Sequence, residues 1–294
     1  WEQAINRPSP MTLISIVTPL RRGPNRYLAE AWESVRAQRL PPGWGLQWIV
    51  VEDGPAVDSR TVPDDPRIRY LGTWAQQGPA GARNVGVSCA RGTWIRMLDD
   101  DDILPPGALA AAIDVVERHV DVLWITGGAL DLTEAGPRPV SGNGFAPGPL
   151  PRPAFARWLL EHDEGPLPVH PASLFVRRDA FLAVGGCSAL SPGEDVEMLA
   201  ALSTLFDGWH TGAPALHYRV SPQQHRRAEY RSASFPRRVK LIRQRILAMQ
   251  RLVQAHSGEP DHPAVDDSRP QFTPGTPAAA GSADHPPLLA TNGP

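Results

Sequence analysis

The sequence predicts an α/β fold: a mostly parallel sheet flanked by helices, followed by a C-terminal amphipathic helix and a disordered tail. Three observations carry this. Apolar runs of strand length alternate through the first half with segments whose apolar residues recur at helical spacing, the rhythm of strands joined by crossover helices. The run Trp94-Ile95-Arg96-Met97-Leu98 delivers four consecutive aspartates, Asp99, Asp100, Asp101 and Asp102, and then Ile103-Leu104-Pro105-Pro106, which reads as strand, acidic turn and helix start. From residue 256 onward the chain is rich in Pro, Ala, Ser and Asp without periodicity, a composition that cannot bury enough apolar surface to order itself.

In order, residues 13–18 read as a strand and 26–38 as a helix with Leu28, Ala31, Trp32 and Val35 on one face. A second strand over 47–51 runs into Glu52-Asp53-Gly54-Pro55, and a short third covers 68–71. A helix over 80–90 leads to the strand 93–98 that ends in the aspartates. Leu109, Ile113, Val116 and Val120 mark the next helix, and 122–126 the next strand. Residues 134–153, dense in Gly and Pro, read as a long surface loop. Beyond it come a helix (154–161), a strand (172–176), a short helix closing on Val184-Gly185-Gly186, a helix (193–206) and a strand near 214–218. Residues 235–253 form a helix with Phe235, Val239, Ile242, Ile246, Met249 and Val253 on one stripe. The expected organisation is an extension (1–11), one domain (12–230), the amphipathic helix (231–255) and the tail (256–294).

Composition narrows the function. A chain of 294 residues buries a substantial core, and its net charge of −2 gives no global attraction to nucleic acid. Two cysteines, Cys89 and Cys187, make no disulfide framework and suggest a reducing, cytoplasmic setting. The apolar run 13–17 is far too short to span a membrane.

Ligands of such sheets sit at the carboxyl ends of strands, where Thr18, Asp53 and the four aspartates all fall. Crowded carboxylates repel unless a cation compensates, and Mg²⁺ or Mn²⁺ is held by one or two carboxylates together with substrate phosphates. One or two acids would be satisfied by the dipole of the next helix; four in a row point to a metal–diphosphate site. Asp53 is an acceptor suited to a nucleobase imide or a ribose hydroxyl, or more plainly a turn cap. Gly78-Pro79-Ala80-Gly81-Ala82-Arg83-Asn84 opens a helix with small residues and sets Arg83 near its start, suited to a phosphate or base edge. Ser191-Pro192-Gly193-Glu194 has capping-box spacing, which employs Glu194 structurally and leaves Asp195 as the candidate general base. His217 and His225 are candidate third metal ligands. Trp124, Trp158, Trp209 and His170 are candidates to line an acceptor pocket.

Taken in order, these segments resemble a family 2 glycosyltransferase of the GT-A, Rossmann-like fold. The likeness rests on Ser15-Ile16-Val17-Thr18-Pro19, Ile49-Val50-Val51-Glu52-Asp53-Gly54, Gly81-Ala82-Arg83-Asn84-Val85-Gly86, the segment from Arg91-Gly92 through Asp102, Phe175-Val176-Arg177-Arg178, and Glu194-Asp195. It covers roughly residues 12 to 225. The resemblance implies inverting transfer from a nucleotide-diphospho sugar with Mn²⁺ or Mg²⁺. It puts Thr18, Pro19, Asp53, Arg83, Asp99 and Asp100 on the donor, Asp101 on the metal and Asp195 as the base. Where the family often stacks an aromatic on the base, Leu20, Arg21 and Arg22 stand here, so base identity stays open. A nucleotidylyltransferase would share the crevice, but Thr18-Pro19-Leu20-Arg21-Arg22-Gly23 matches its phosphate loop poorly. A non-catalytic nucleotide-sugar-binding protein is the other alternative. The acceptor is a small molecule, a glycan or a lipid-linked sugar. Arg237, Arg238, Lys240, Arg243, Arg245 and Arg251 make the last helix basic with no acid on it, the pattern of a helix on an anionic membrane or of one packed with its charges solvated.

Overall fold

The computed structural model describes residues 11–23, 25–56, 62–133, 136–139, 144–162, 166–190, 192–220 and 235–257. The expected N-terminal extension apart from Met11, nearly all of the tail, Ser191 and His225 lie outside them. Four strands, β1 (Thr12–Leu20), β2 (Trp44–Glu52), β3 (Ile68–Gly72) and β4 (Trp94–Met97), run parallel in the spatial order β3-β2-β1-β4. The helices α1 (Leu28–Arg36), α2 (Gly78–Ser88) and α3 (Ala108–Arg118) follow β1, β3 and β4.

The second half continues the sheet from β4. The strand β5 (Trp124–Thr133) is separated from β4 by β8 (Phe175–Arg177), which is antiparallel to both, and β9 (Gly208–Arg219) lies parallel to β5. Helices α4 (Ala154–Glu161), α5 (Arg178–Ala183), α6 (Glu194–Leu205) and α7 (Phe235–Ser257) complete the domain.

Period-two alternation splits the core into two layers. Ile14, Ile16, Trp48 and Val50 face one side with Leu28, Trp32, Leu109 and Ile113, where Trp32 and Trp48 stack at 5.2 Å. Val17, Ile49 and Val51 face the other side with buried residues of α2, α4, α6 and α7. Gly86 of α2 lets that helix sit directly on the sheet, because a Cβ there would fall 2.4 Å from Val17 Cγ1. Helix propensity alone favours Ala over Gly by about 1 kcal/mol. Overpacking costs on the order of 1–3 kcal/mol and wins, so Gly86→Ala is expected to lower the urea midpoint. A raised midpoint would show that α2 shifts outward without penalty.

Three sequence expectations are corrected. The region 134–153 holds two strands, β6 (Gly136–Pro139) on β5 and β7 (Gly148–Leu150) on β9. Both are edge strands, where a proline's missing N–H is tolerated, and the Pro and Gly content masked them. The strand expected at 172–176 begins at Phe175, after a 3₁₀ turn over Pro171–Ser173. The strands expected at 122–126 and near 214–218 run far longer as β5 and β9; their register shifts near Gly128 interrupt the apolar alternation that defines a strand in sequence.

Candidate active site

The aspartate turn is tied down on several sides. Leu98 N–H donates to Val17 O (3.1 Å), and Ile103 and His217 exchange two backbone hydrogen bonds, fixing the turn between β1 and β9. Arg219 at the end of β9 straps it from below. Its backbone N–H donates to Asp102 Oδ1 (2.9 Å) and its Nε to Asp101 O (2.7 Å), while Nη2 reaches Glu30 Oε2 on α1 (2.5 Å) over the Tyr27 ring. Arg21 N–H donates to Asp100 Oδ2 (3.3 Å), and Asn25 Nδ2 to Asp100 O (3.4 Å). Sequence alone gives Arg219 no role, because its partners lie more than a hundred residues away.

Arg83 joins this turn to α6. Its Nη2 donates to Asp99 Oδ1 (2.6 Å) and its Nη1 to Glu194 Oε1 (2.9 Å), with the arginine only 3% exposed. Burial works against the guanidinium charge, but Asp99 and Glu194, followed by Cys187 and Asp195, outweigh it and hold it protonated. Asn84 adds a second brace, with Nδ2 donating to Cys187 O (2.8 Å) and Oδ1 accepting from Cys187 N–H (2.9 Å). The segment around Gly81 is therefore a buttress between strand end and helix start.

The capping-box expectation at α6 fails. The helix is preceded by Gly193, at φ 115°, a left-handed conformation suited to glycine, and the Glu194 carboxylate bonds Arg83. Asp195, in the first turn, is partly exposed, and its Oδ1 accepts Val196 N–H (2.8 Å). Arg83 thus gathers Asp99, Glu194 and Asp195 into one charged neighbourhood.

The remaining candidates have contacts of their own. Thr18 is fully buried, its hydroxyl accepting from Trp48 Nε1 (2.8 Å) in the core, and Pro19 is buried beside it. Asp53 accepts from Gln77 N–H (2.6 Å) and Gly78 N–H (3.0 Å), so it caps the start of α2 and not its own turn. Trp124 and Trp158 belong to the core layer on the α4 and α6 side, whereas Trp209 packs on the opposite layer, so the three tryptophans cannot line one pocket. His170 leans on Tyr218, ring centroids 4.7 Å apart.

The turn crowds several carboxylates together. Burial, and then the neighbouring carboxylates, push Asp100 up to about 6 and Asp101 up to about 7, and raise Asp102 as well. Asp102 is fully buried, and its Oδ2 has no hydrogen-bond partner among the described residues. Beneath the turn lies Arg96, 2% exposed and donating to Leu174 O (3.1 Å) and Ala215 O (2.7 Å); burial lowers it to about 10, against the pull of Asp102 and Asp99. No three His, Cys, Asp or Glu side chains form a metal-ligand group among the described residues, so His217 completes no such set. The residues suit a cation held the other way, by one or two carboxylates with diphosphate oxygens and water supplying the rest.

These shifts predict a pH dependence. Unfolded aspartates titrate near 4, so between about pH 4 and 7 the folded chain binds more protons than the unfolded one. The stabilisation from protonated Asp100 and Asp101 is complete below about pH 4 and lost as pH rises through 6 and 7. Metal-free protein should lose several kcal/mol from this source, and Mn²⁺ should raise Tm more at about pH 8 than at about pH 5. Melting curves with and without Mn²⁺ check this, and an equal Mn²⁺ effect at both pH values would mean that the charge is already balanced.

The comparisons with known proteins follow this geometry. The family model described as Glycosyl transferase family 2 matches residues 15–179, more than half of the chain. The chain belongs to glycosyltransferase family 2. The match takes in the aspartate turn and Arg83 and ends before Asp195. Among curated relatives of this glycosyltransferase, the succinoglycan biosynthesis protein ExoO of Rhizobium meliloti is 34% identical over 116 residues, 35% of the chain and 32% of ExoO. A GalNAc(5)-diNAcBac-PP-undecaprenol beta-1,3-glucosyltransferase of Campylobacter jejuni is 41% identical over 108 residues, 34% of the chain and 33% of that enzyme. The matched stretches thus span about a third of each of these relatives. In fold, it resembles S. aureus TarS residues 1–349 crystallised with UDP-GlcNAc, with TM-score 0.59 and 16% identity over 80% of this chain and 66% of that one. The sheet flanked by helices is therefore the GT-A fold. The family assignment overturns the nucleotidylyltransferase alternative. No helix among the described residues is long and apolar enough to cross a membrane.

Proposed function

We propose that this chain transfers a glycosyl group from a nucleotide-diphospho sugar to an acceptor hydroxyl with inversion, Asp195 acting as general base and the aspartate turn holding the donor. The observation that carries this is the Arg83 bridge: one buried guanidinium holds Asp99 at the end of β4 and Glu194 in the first turn of α6. A donor-side acid and a base-side helix are thereby locked in one frame. The relatives support the substrate class, since TarS was crystallised with UDP-GlcNAc and the Campylobacter enzyme acts on an undecaprenol-linked glycan.

In this reading Asp99 and Asp100 bind the donor ribose, and Asp101 is the metal ligand. When bound, Mn²⁺ or Mg²⁺ supplies positive charge against the diphosphate. Asp195 takes the proton from the acceptor hydroxyl as its oxygen bonds the anomeric carbon. The bond from that carbon to the diphosphate oxygen breaks on the opposite side, and nucleoside diphosphate departs with the electron pair. Arg219 and Arg83 position the turn and α6. In this reading Thr18, Pro19 and Asp53 stay on the donor side at the ends of β1 and β2, beside the exposed Arg21 and Arg22.

The test is purified protein with Mn²⁺ and a panel of nucleotide sugars, reading released nucleoside diphosphate. Release that requires Mn²⁺, with Mn²⁺-dependent donor binding lost in Asp101→Ala, is the expected result. Donor binding without turnover on any acceptor would assign a non-catalytic binding role instead. Unchanged donor affinity in Asp101→Ala would remove Asp101 from the metal.

A further inference from the structure

The helix α7 has two faces, and the glycosyl-transfer reading uses neither. Its inner face packs on the domain: Ile242 and Ile246 are buried, with Val239 and Met249 against the same core. Two of its cations are also spent inward. Arg243 donates to Leu159 O (2.9 Å) and His162 O (2.7 Å), while Arg245 pairs with Glu197 and donates to Val184 O (2.6 Å). Arg245 thus meets an acid of α6, although α7 carries none of its own.

The outer face is different. At 100° per residue, Lys240, Arg251 and Arg237 fall on one stripe opposite Ile242 and Ile246, and all three are exposed. Leucines border that stripe on both sides, Leu247 on one (43% exposed) and Leu241 and Leu252 on the other (50% and 61%). No acid occurs in the 23 residues of α7. A basic stripe edged by exposed leucines spans about 20 Å along the helix.

We propose that this outer face docks the protein on an anionic phospholipid bilayer, with the cations at the headgroups and the bordering leucines entering the interface. Charge complementarity selects this occupant. A second copy paired through the same face would set cations against cations about a two-fold axis. A nucleic acid would employ the cations but leave the leucines in water, whereas a bilayer interface takes both.

The test is flotation of the full chain with vesicles of phosphatidylcholine, alone or with about a third phosphatidylglycerol. Binding to the anionic vesicles alone, weakened by salt, is expected. The triple variant Arg237→Glu, Lys240→Glu, Arg251→Glu should lower partition by about 10²-fold, each cation near the surface being worth roughly fivefold. Circular dichroism should show it folded, because none of the three has a partner among the described residues. Should it misfold, Leu241→Ser with Leu247→Ser should weaken the same binding while the salt dependence persists. No binding to anionic vesicles, or equal binding to both compositions, overturns the proposal. So does a dimer in sedimentation that the leucine variant abolishes, or retention on single-stranded DNA that the triple variant abolishes while vesicle binding persists. These readouts need no turnover, so failure here and failure of the glycosyl-transfer assay are separate results.

Discussion

Replacing Asp195 by Asn is expected to reduce glycosyl transfer by 10²-fold or more while leaving donor affinity near that of the unmodified protein. A positioned general base contributes about 10²–10⁴ in rate, or roughly 3–5 kcal/mol of barrier. Asn is isosteric, and its Oδ1 can still accept the Val196 N–H that Asp195 accepts at 2.8 Å, so α6 should start unchanged. The loss should fall on kcat, because the proton leaves the acceptor only as the new bond forms, after the donor has bound. Isothermal titration with UDP-sugars beside steady-state kinetics separates the two quantities. Unaltered kcat would place the base on another residue. A parallel loss of donor affinity would instead make Asp195 a donor ligand.

How far these residues could be read in the sequence depends on the kind of signal each one gives. The parallel half of the sheet was legible because β1, β2 and β4 are apolar runs ended by polar turns, which survive as pattern whatever packs around them. The aspartate turn stood out for the same reason, since four adjacent acids are a local feature. What failed was long-range. Thr18 and Asp53 sit at strand ends, as expected, yet a hydroxyl at a strand end can face the core, and Trp48 takes it there. Asp53 lies 25 residues from Gly78, whose N–H it accepts, and no spacing rule links them. Glu194 matched a local capping pattern, but Arg83, 111 residues earlier, claims its carboxylate. Arg219 joins β9 to Asp101, Asp102 and α1 across even longer separations. Sequence thus located the chemistry of the acids but not the cations that hold them, because the partners of a buried charge are chosen by the fold.

That distinction sets the second large effect. Arg83 reads from sequence as a donor contact, and the fold makes it a buried bridge instead. Arg83→Met keeps the volume and removes the charge that Glu194, whose side chain is fully buried, and Asp99 both bond. Breaking a buried ion pair by deleting one partner costs about 3–5 kcal/mol, chiefly because the remaining charge stays desolvated. Urea unfolding should therefore show one of the largest losses of any single change in this domain. Adding Glu194→Gln to Arg83→Met should recover a substantial part of it, since the bridge is worth little once both ends are uncharged. Arg83→Lys should fall between, because one ammonium cannot reproduce the two-pronged grip on Asp99 and Glu194. A donor-contacting arginine would give the opposite pattern, with unfolding near unchanged, nucleotide-sugar affinity sharply reduced and no rescue by Glu194→Gln. Stability lost and then partly restored by that second substitution identifies Arg83 as the residue through which the donor turn and the helix bearing Asp195 are held in one frame.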